Sequence, residues 1–86
     1  MIKILYFGSL PDLLDRGDED VELPDHANDV AGLLAHLSFR GWIWERLFNQ
    51  RSARMKITVN KNFAEMDTSV NDEDEIAIIY GGHAAD

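Results

Sequence analysis

Apolar and polar positions alternate with a strand period at both ends of the chain and adopt a helical period once in between. Ile2, Ile4 and Tyr6 alternate with Lys3, Leu5 and Phe7, and both sets are largely apolar. Such a β-branched and aromatic run, ending at Gly8-Ser9, predicts a strand covered on at least one face. Leu10 to Asp15 reads as a single helical turn, with Pro11 acceptable near its start. Arg16-Gly17-Asp18-Glu19-Asp20 reads as a polar turn. Val21-Glu22-Leu23 is then a short second strand, stopped by Pro24, which has no N–H to give a ladder. The first two strands would form a hairpin with an unusually long connection.

Val30, Leu33, Leu34 and Leu37 fall at i, i+3, i+4 and i+7, the stripe of an amphipathic helix. Asn28 is the predicted N-cap, with Asp29 favourable in the first turn, and Gly41 is placed to end the helix through a left-handed residue. His36 lies off the stripe and reads as a surface histidine. Trp42 to Phe48 is aromatic-rich and reads as a second short helix or an irregular wrap at the core or its edge, because small cores gain area from large aromatics. Asn49 to Arg54 is a polar loop. Met55, Ile57 and Val59 alternate with Lys56, Thr58 and Asn60 as a half-exposed strand. After the turn Asn60-Lys61-Asn62, Phe63 to Met66 adds a short edge strand. The carboxylate-rich turn Asn71-Asp72-Glu73-Asp74 leads into a last strand, Glu75 to Tyr80.

Strands that open and close the chain around one main helix predict an α+β domain, with a mixed sheet of four to five strands and the helix packed across it. The densely apolar first and last strands are expected as parallel central neighbours. Residues 1–80 form the domain on this reading, and residues 81–86 a carboxyl-terminal tail.

Composition narrows the function. At 86 residues the chain is one small domain, able to bury roughly 60–65% of its unfolded surface. With 8 Lys and Arg against 16 Asp and Glu, the net charge of −8 argues against nucleic acid or anionic membrane and suits basic protein partners. No apolar run approaches a bilayer span, and Met1-Ile2-Lys3 leads straight into a strand without a signal-peptide pattern, so a soluble, cytoplasmic protein is expected. Cysteine is absent, which removes disulfides, thiolate metal ligands and a thiol nucleophile. His26, His36 and His83 are far apart in sequence and show no metal-ligand spacing. The serines Ser9, Ser38, Ser52 and Ser69 lack a nucleophile elbow. Asp72-Glu73-Asp74-Glu75 lacks the spaced ligands and loop glycine of a calcium loop, so it reads as a solvated turn. No metal site and no self-contained enzyme can be assembled. What remains is Gly81-Gly82, a stretch of backbone stripped of side chains that can thread a narrow channel.

The residues Met1 to Phe7, the amphipathic helix after a short second strand, Ile57-Thr58-Val59-Asn60, Asn71 to Ile78 and Gly81-Gly82 together resemble the β-grasp (ubiquitin-like) sulfur carriers of the MoaD/ThiS group. Within that group the chain looks like the small subunit of molybdopterin synthase. The resemblance implies a carrier in molybdenum cofactor biosynthesis, the sulfur-donor part of a two-subunit synthase. Its glycine carboxylate is activated by an E1-like adenylating enzyme and becomes a thiocarboxylate, so AMP and sulfur are carried covalently and transiently at the carboxyl terminus and no cofactor is bound. The tail then enters the large synthase subunit. By the same matching, Gly81 and Gly82 carry the chemistry, and Phe7, Phe63, Ile79 and Tyr80 face partners.

The tail departs from that pattern. Carriers end on the second glycine, whereas His83-Ala84-Ala85-Asp86 follows Gly82 here. Matching Asp74-Glu75-Ile76-Ala77 without gaps puts Ala84-Ala85 where the glycines belong. A tail ending at Gly82 reaches about 7 Å beyond the last strand, and the intact one about 20 Å. A carrier mechanism at Gly82 therefore requires a protease to remove residues 83–86. The alternatives are a β-grasp binding module with a degenerate tail, or a carrier for thiamine or another sulfur pathway.

Overall fold

The computed structural model describes residues 1–48 and 55–81. Its strands are β1 (Ile2–Gly8), β2 (Asp18–Val21), β3 (Met55–Val59), β4 (Asn62–Phe63) and β5 (Glu75–Tyr80). Its helices are α1 (Leu10–Leu14), α2 (Val30–Ser38) and α3 (Trp42–Phe48). The strands form one mixed sheet in the order β2-β1-β5-β3-β4. β1 and β5 are its parallel centre, and every other pairing is antiparallel. This is the expected α+β arrangement, with the aromatic-rich segment forming a helix.

Ile2, Ile4 and Tyr6 of β1, Ile76 and Ile78 of β5, and Ile57 and Val59 of β3 all point to one face, as the two-residue period requires. Val30, Leu33, Leu34 and Leu37 of α2 pack onto that face, none more than 3% exposed. Leu10 and Leu14 of α1 and Trp44 and Phe48 of α3 close the core.

Four local expectations shift. The N-cap of α2 is Asp29, not Asn28: its carboxylate accepts the Gly32 N–H at 2.8 Å, while the Asn28 carbonyl accepts the Val70 N–H. Asp29→Ala is expected to cost about 1 kcal/mol, a fall of roughly 4–8 °C in Tm by calorimetry. Gly41 does not end α2 in a left-handed conformation. The helix closes instead through Phe39 and Arg40 N–H groups donating to His36 and Leu37 carbonyls, and Gly41 receives the first N–H of α3, from Glu45. The second strand covers Asp18–Val21, not Val21–Leu23. β1 begins at Ile2, already paired with Val21, so Glu22 and Leu23 run past the end of the ladder. The edge strand after Asn60-Lys61 covers only Asn62–Phe63, although the Ala64 N–H still reaches the Ile57 carbonyl. Asn60 and Lys61 both have positive φ, 51° and 74°, which suits a two-residue hairpin turn. The polar loop expected at residues 49–54 lies outside the described residues.

Candidate functional site

The tail leaves the sheet at the end of β5, where the turn between β1 and α1 crosses it. Gly8 lies opposite Tyr80 in the parallel ladder. The next residue, Ser9, donates its N–H to the Tyr80 carbonyl at 3.0 Å. Gly8 has φ +72°, and a Cβ built there would stand 2.2 Å from the Tyr80 carbonyl oxygen. Glycine is therefore required here both by conformation and by the close approach of two backbones. Gly81 follows Tyr80 directly and is exposed. Gly82, the other half of the predicted reactive pair, lies outside the described residues, as do residues 83–86.

Beside this exit is the sheet face on which none of the described helices packs. Phe7 pairs with Ile79, and Ile79 in turn with Lys56. The next row on the same face is Leu5, Ala77, Thr58 and Phe63. The result is a stripe that is apolar on β1, β5 and β4 and interrupted on β3 by Lys56 and Thr58, with Phe7 47% and Phe63 81% exposed. Three residues singled out from the sequence, Phe7, Ile79 and Phe63, thus share one face. The fourth, Tyr80, is one residue further along β5, so its side chain turns to the helix side, where it is half-buried against the core. Leu5 and Ala77 join the rows but carried no individual signal. The hint was that both alternating sets of β1 are apolar.

Behind the stripe, on the helix side, β1 is locked by a charged cluster. The Tyr6 hydroxyl donates to Glu19 at 2.6 Å, Arg40 reaches the same carboxylate at 2.7 Å, and Arg16 at 3.0 Å. Partial burial opposes ionisation of Glu19. Hydrogen bonds from Arg40 and Tyr6, and the charges of Arg40 and Arg16, outweigh that effect and hold its carboxyl below the usual carboxylate range. Burial, together with the adjacent Glu19 carboxylate, pushes the Tyr6 phenol well above its ordinary value against the opposing arginines. Trp44 meets Tyr6 edge-on at 6.1 Å, and the Arg40 guanidinium lies 4.7 Å from its ring centre. β2, α3 and the segment that joins α2 to α3 are thereby tied to the strand that carries Phe7 and Gly8. The sequence reads Glu19 only as a turn residue.

The histidines separate in sequence but not all in space: the His26 and His36 rings meet edge to face at 6.3 Å. Among the described residues no group of three or more potential ligands is placed to hold a metal ion. No helix among them is long and apolar enough to cross a membrane. In the aromatic segment Trp44 and Phe48 are buried, but Trp42 is 70% exposed. An open cleft lined by Met1, Pro24, Asn28, Val70 and Asp72 lies at the start of β1 and β5, the opposite end of the sheet from Gly81.

The family model described as the ThiS family matches residues 4–80. Among solved structures the fold is similar to SAMP1 from Haloferax volcanii, with a TM-score of 0.77 at 18% identity over 92% of each chain. A putative molybdopterin converting factor, subunit 1, from Pyrococcus furiosus superposes with a TM-score of 0.70 at 22% identity, covering 92% of this chain and 94% of the other. CysO of Mycobacterium tuberculosis gives 0.67 at 14%, covering 93% and 98%. At these identities the likeness is one of fold, and it is the β-grasp, ubiquitin-like fold. Among proteins of curated function none matches the chain in sequence.

Proposed function

The chain belongs to the ThiS family, and from that we propose that it is a cytoplasmic sulfur carrier that donates sulfur from a glycine thiocarboxylate at Gly82 in molybdenum cofactor biosynthesis. The observation that carries this reading is the placement of an exposed Gly81 beside the apolar pair Phe7 and Ile79, with Phe63 further out on the same face. A partner that covers the stripe has the start of the tail within its reach. Residues 83–86 are removed by proteolysis, leaving the Gly82 carboxylate as the new terminus. A carboxylate is a poor electrophile, so an E1-like enzyme first makes it attack the α-phosphorus of ATP, releasing pyrophosphate. A sulfur nucleophile then displaces AMP from the acyl adenylate. The chain supplies no catalytic group to either step. It supplies a terminus narrow enough to enter the enzymes' channels and a surface for docking onto the large synthase subunit. Similarity to the Pyrococcus furiosus protein, a putative molybdopterin converting factor subunit, supports the choice of pathway.

Intact mass of the protein from its native cell tests the reading. A species ending at Gly82, with sulfur in place of one terminal oxygen, is expected. Persistence of the full-length chain alone while the pathway is active would sink it. Phe63→Asp should weaken binding to the large subunit by roughly 30-fold, about 2 kcal/mol. Stability should change by no more than about 0.5 kcal/mol, since Phe63 is 81% exposed.

One observation favours a second reading, a binding module without carrier chemistry. Gly81 follows directly on the tethered Tyr80, so a tail cut after Gly82 is short, and Ala84-Ala85 occupy the in-register positions. On that reading Gly82→Ala leaves cofactor synthesis unchanged, and a clear loss refutes it.

A further inference from the structure

We infer that the Gly8–Ser9 turn is a positioning element that sets where, and in which direction, the tail leaves the sheet, with Gly8 acting through the backbone carbonyl of Tyr80. The inference rests on the carrier reading for its functional arm and on geometry alone for its structural arm. Strand ends at a chain terminus fray unless something ties them down. Here the tie is the Ser9 N–H on the Tyr80 oxygen, 3.0 Å away. Because a peptide unit is planar, holding that oxygen fixes the plane of the Tyr80–Gly81 bond and hence the position of the Gly81 nitrogen and Cα. Gly81 is the first residue of the tail, so its launch direction is set one residue upstream.

Gly8 makes the tie possible. Its φ of +72° turns the chain out of β1 so that Ser9 points its N–H back at β5. An alanine Cβ would lie 2.2 Å from the Tyr80 oxygen and 2.9 Å from its carbonyl carbon. Both are backbone atoms, which cannot rotate away as the end of a side chain can, so the carbonyl itself must be displaced. The turn is not free to yield on its other side. Leu10, the first residue of α1, is fully buried, and Phe7 is held in register with Ile79. The same turn therefore couples two features. Gly81 lies two residues beyond Ile79, at most about 7 Å along the chain. A partner seated on Phe7 and Ile79 accordingly receives the tail at a fixed offset.

Three measurements on the full-length chain and its form ending at Gly82 test this. In the unmodified protein the Ser9 amide should exchange as slowly as the ladder amides of β5, and rapid exchange at Ser9 would overturn the tie without any variant. In Gly8→Ala, Ser9 protection should be lost while the amides of Leu33, Leu34 and Ile76 keep theirs. Retained Ser9 protection would count against the role of Gly8. Finally, pyrophosphate release with the E1-like enzyme is compared at a temperature where all variants are folded by circular dichroism. Gly8→Ala should lose about 10²-fold in kcat/KM, the scale of an ångström-level misplacement. Val70→Ala, a buried change at the far end of β5 chosen as a stability control, should lose less than about threefold. Equal losses in the two variants would reduce Gly8 to a stability residue and overturn the inference. If the unmodified Gly82 form is not adenylated at all, the carrier reading fails, and the exchange measurements still decide the geometry.

Discussion

Trp44→Ala is expected to remove about 3–5 kcal/mol of unfolding free energy, the usual cost of emptying a large aromatic site in a core that cannot fully collapse. Trp44 is 9% exposed and stands between Tyr6 and Phe48, with ring centres 6.1 and 5.8 Å away. Its ring also receives Arg40, so truncation exposes a guanidinium stem as well as opening a cavity. A domain of this size has about 5–15 kcal/mol in all. The urea midpoint should therefore fall by about a fifth or more, with Tm lower by at least roughly 12 °C. Trp42→Ala, on the same helix but 70% exposed, is the control and should shift the midpoint little. Equal effects at the two positions would mean that α3 is not packed as described.

Glu19→Gln is expected to lower stability by about 2 kcal/mol at pH 7 and by progressively less as pH falls below about 4.3. The Glu19 side chain is 13% exposed and accepts from Tyr6, Arg16 and Arg40, two of them charged donors. Arg16 and Arg40 are 46% and 29% exposed, so solvent screens part of the attraction, and the expected cost falls below the roughly 3–5 kcal/mol of a fully buried pair. The sign of the pH dependence follows from the depressed folded-state pKa of Glu19. Its contribution is present above the unfolded value, about 4.3, and is lost as pH falls through the folded one. Urea unfolding between pH 7 and pH 2.5 should show the two proteins converging at the acid end. Parallel curves would mean that the carboxylate is not held by these cations. Tyr6 acts at the opposite limit. Its raised pKa means that the neutral phenol is the folded form, so its contribution weakens as pH rises beyond about 10.

Glu19 and Gly8 belong to the part of the fold that the chain does not announce. Glu19 sits in a run of charges, Asp18-Glu19-Asp20, that reads as a turn because nothing local distinguishes it from its neighbours. It became a strand residue with three donors because β1 offers an edge at that height, and Tyr6 and Arg40 from elsewhere join the neighbouring Arg16 on its carboxylate. Gly8 is similar. Its place at a strand end was visible, but its necessity lies in the Tyr80 carbonyl, 72 positions away in sequence. The cap of α2 missed by one residue for a smaller reason. Asn28 and Asp29 are both competent caps, and the choice fell to Asp29 once the Asn28 carbonyl was engaged by Val70.

What the sequence determined by itself is whatever follows from a period. The 3.6-residue stripe Val30, Leu33, Leu34 and Leu37 placed the main helix and its buried face. The two-residue alternations placed β1, β3 and β5, and apolar density named β1 and β5 as the centre. Hydrophobic burial is non-directional, so a pattern along the chain is enough to specify it. The tertiary structure alone decided the features that depend on direction and on residues distant in sequence. It put Phe7, Ile79, Leu5, Ala77 and Phe63 on one open face, turned Tyr80 to the other, and tied the last carbonyl of β5 to Ser9. Hydrogen bonds and backbone approaches act over about 3 Å with fixed geometry, and only the folded chain brings their partners that close.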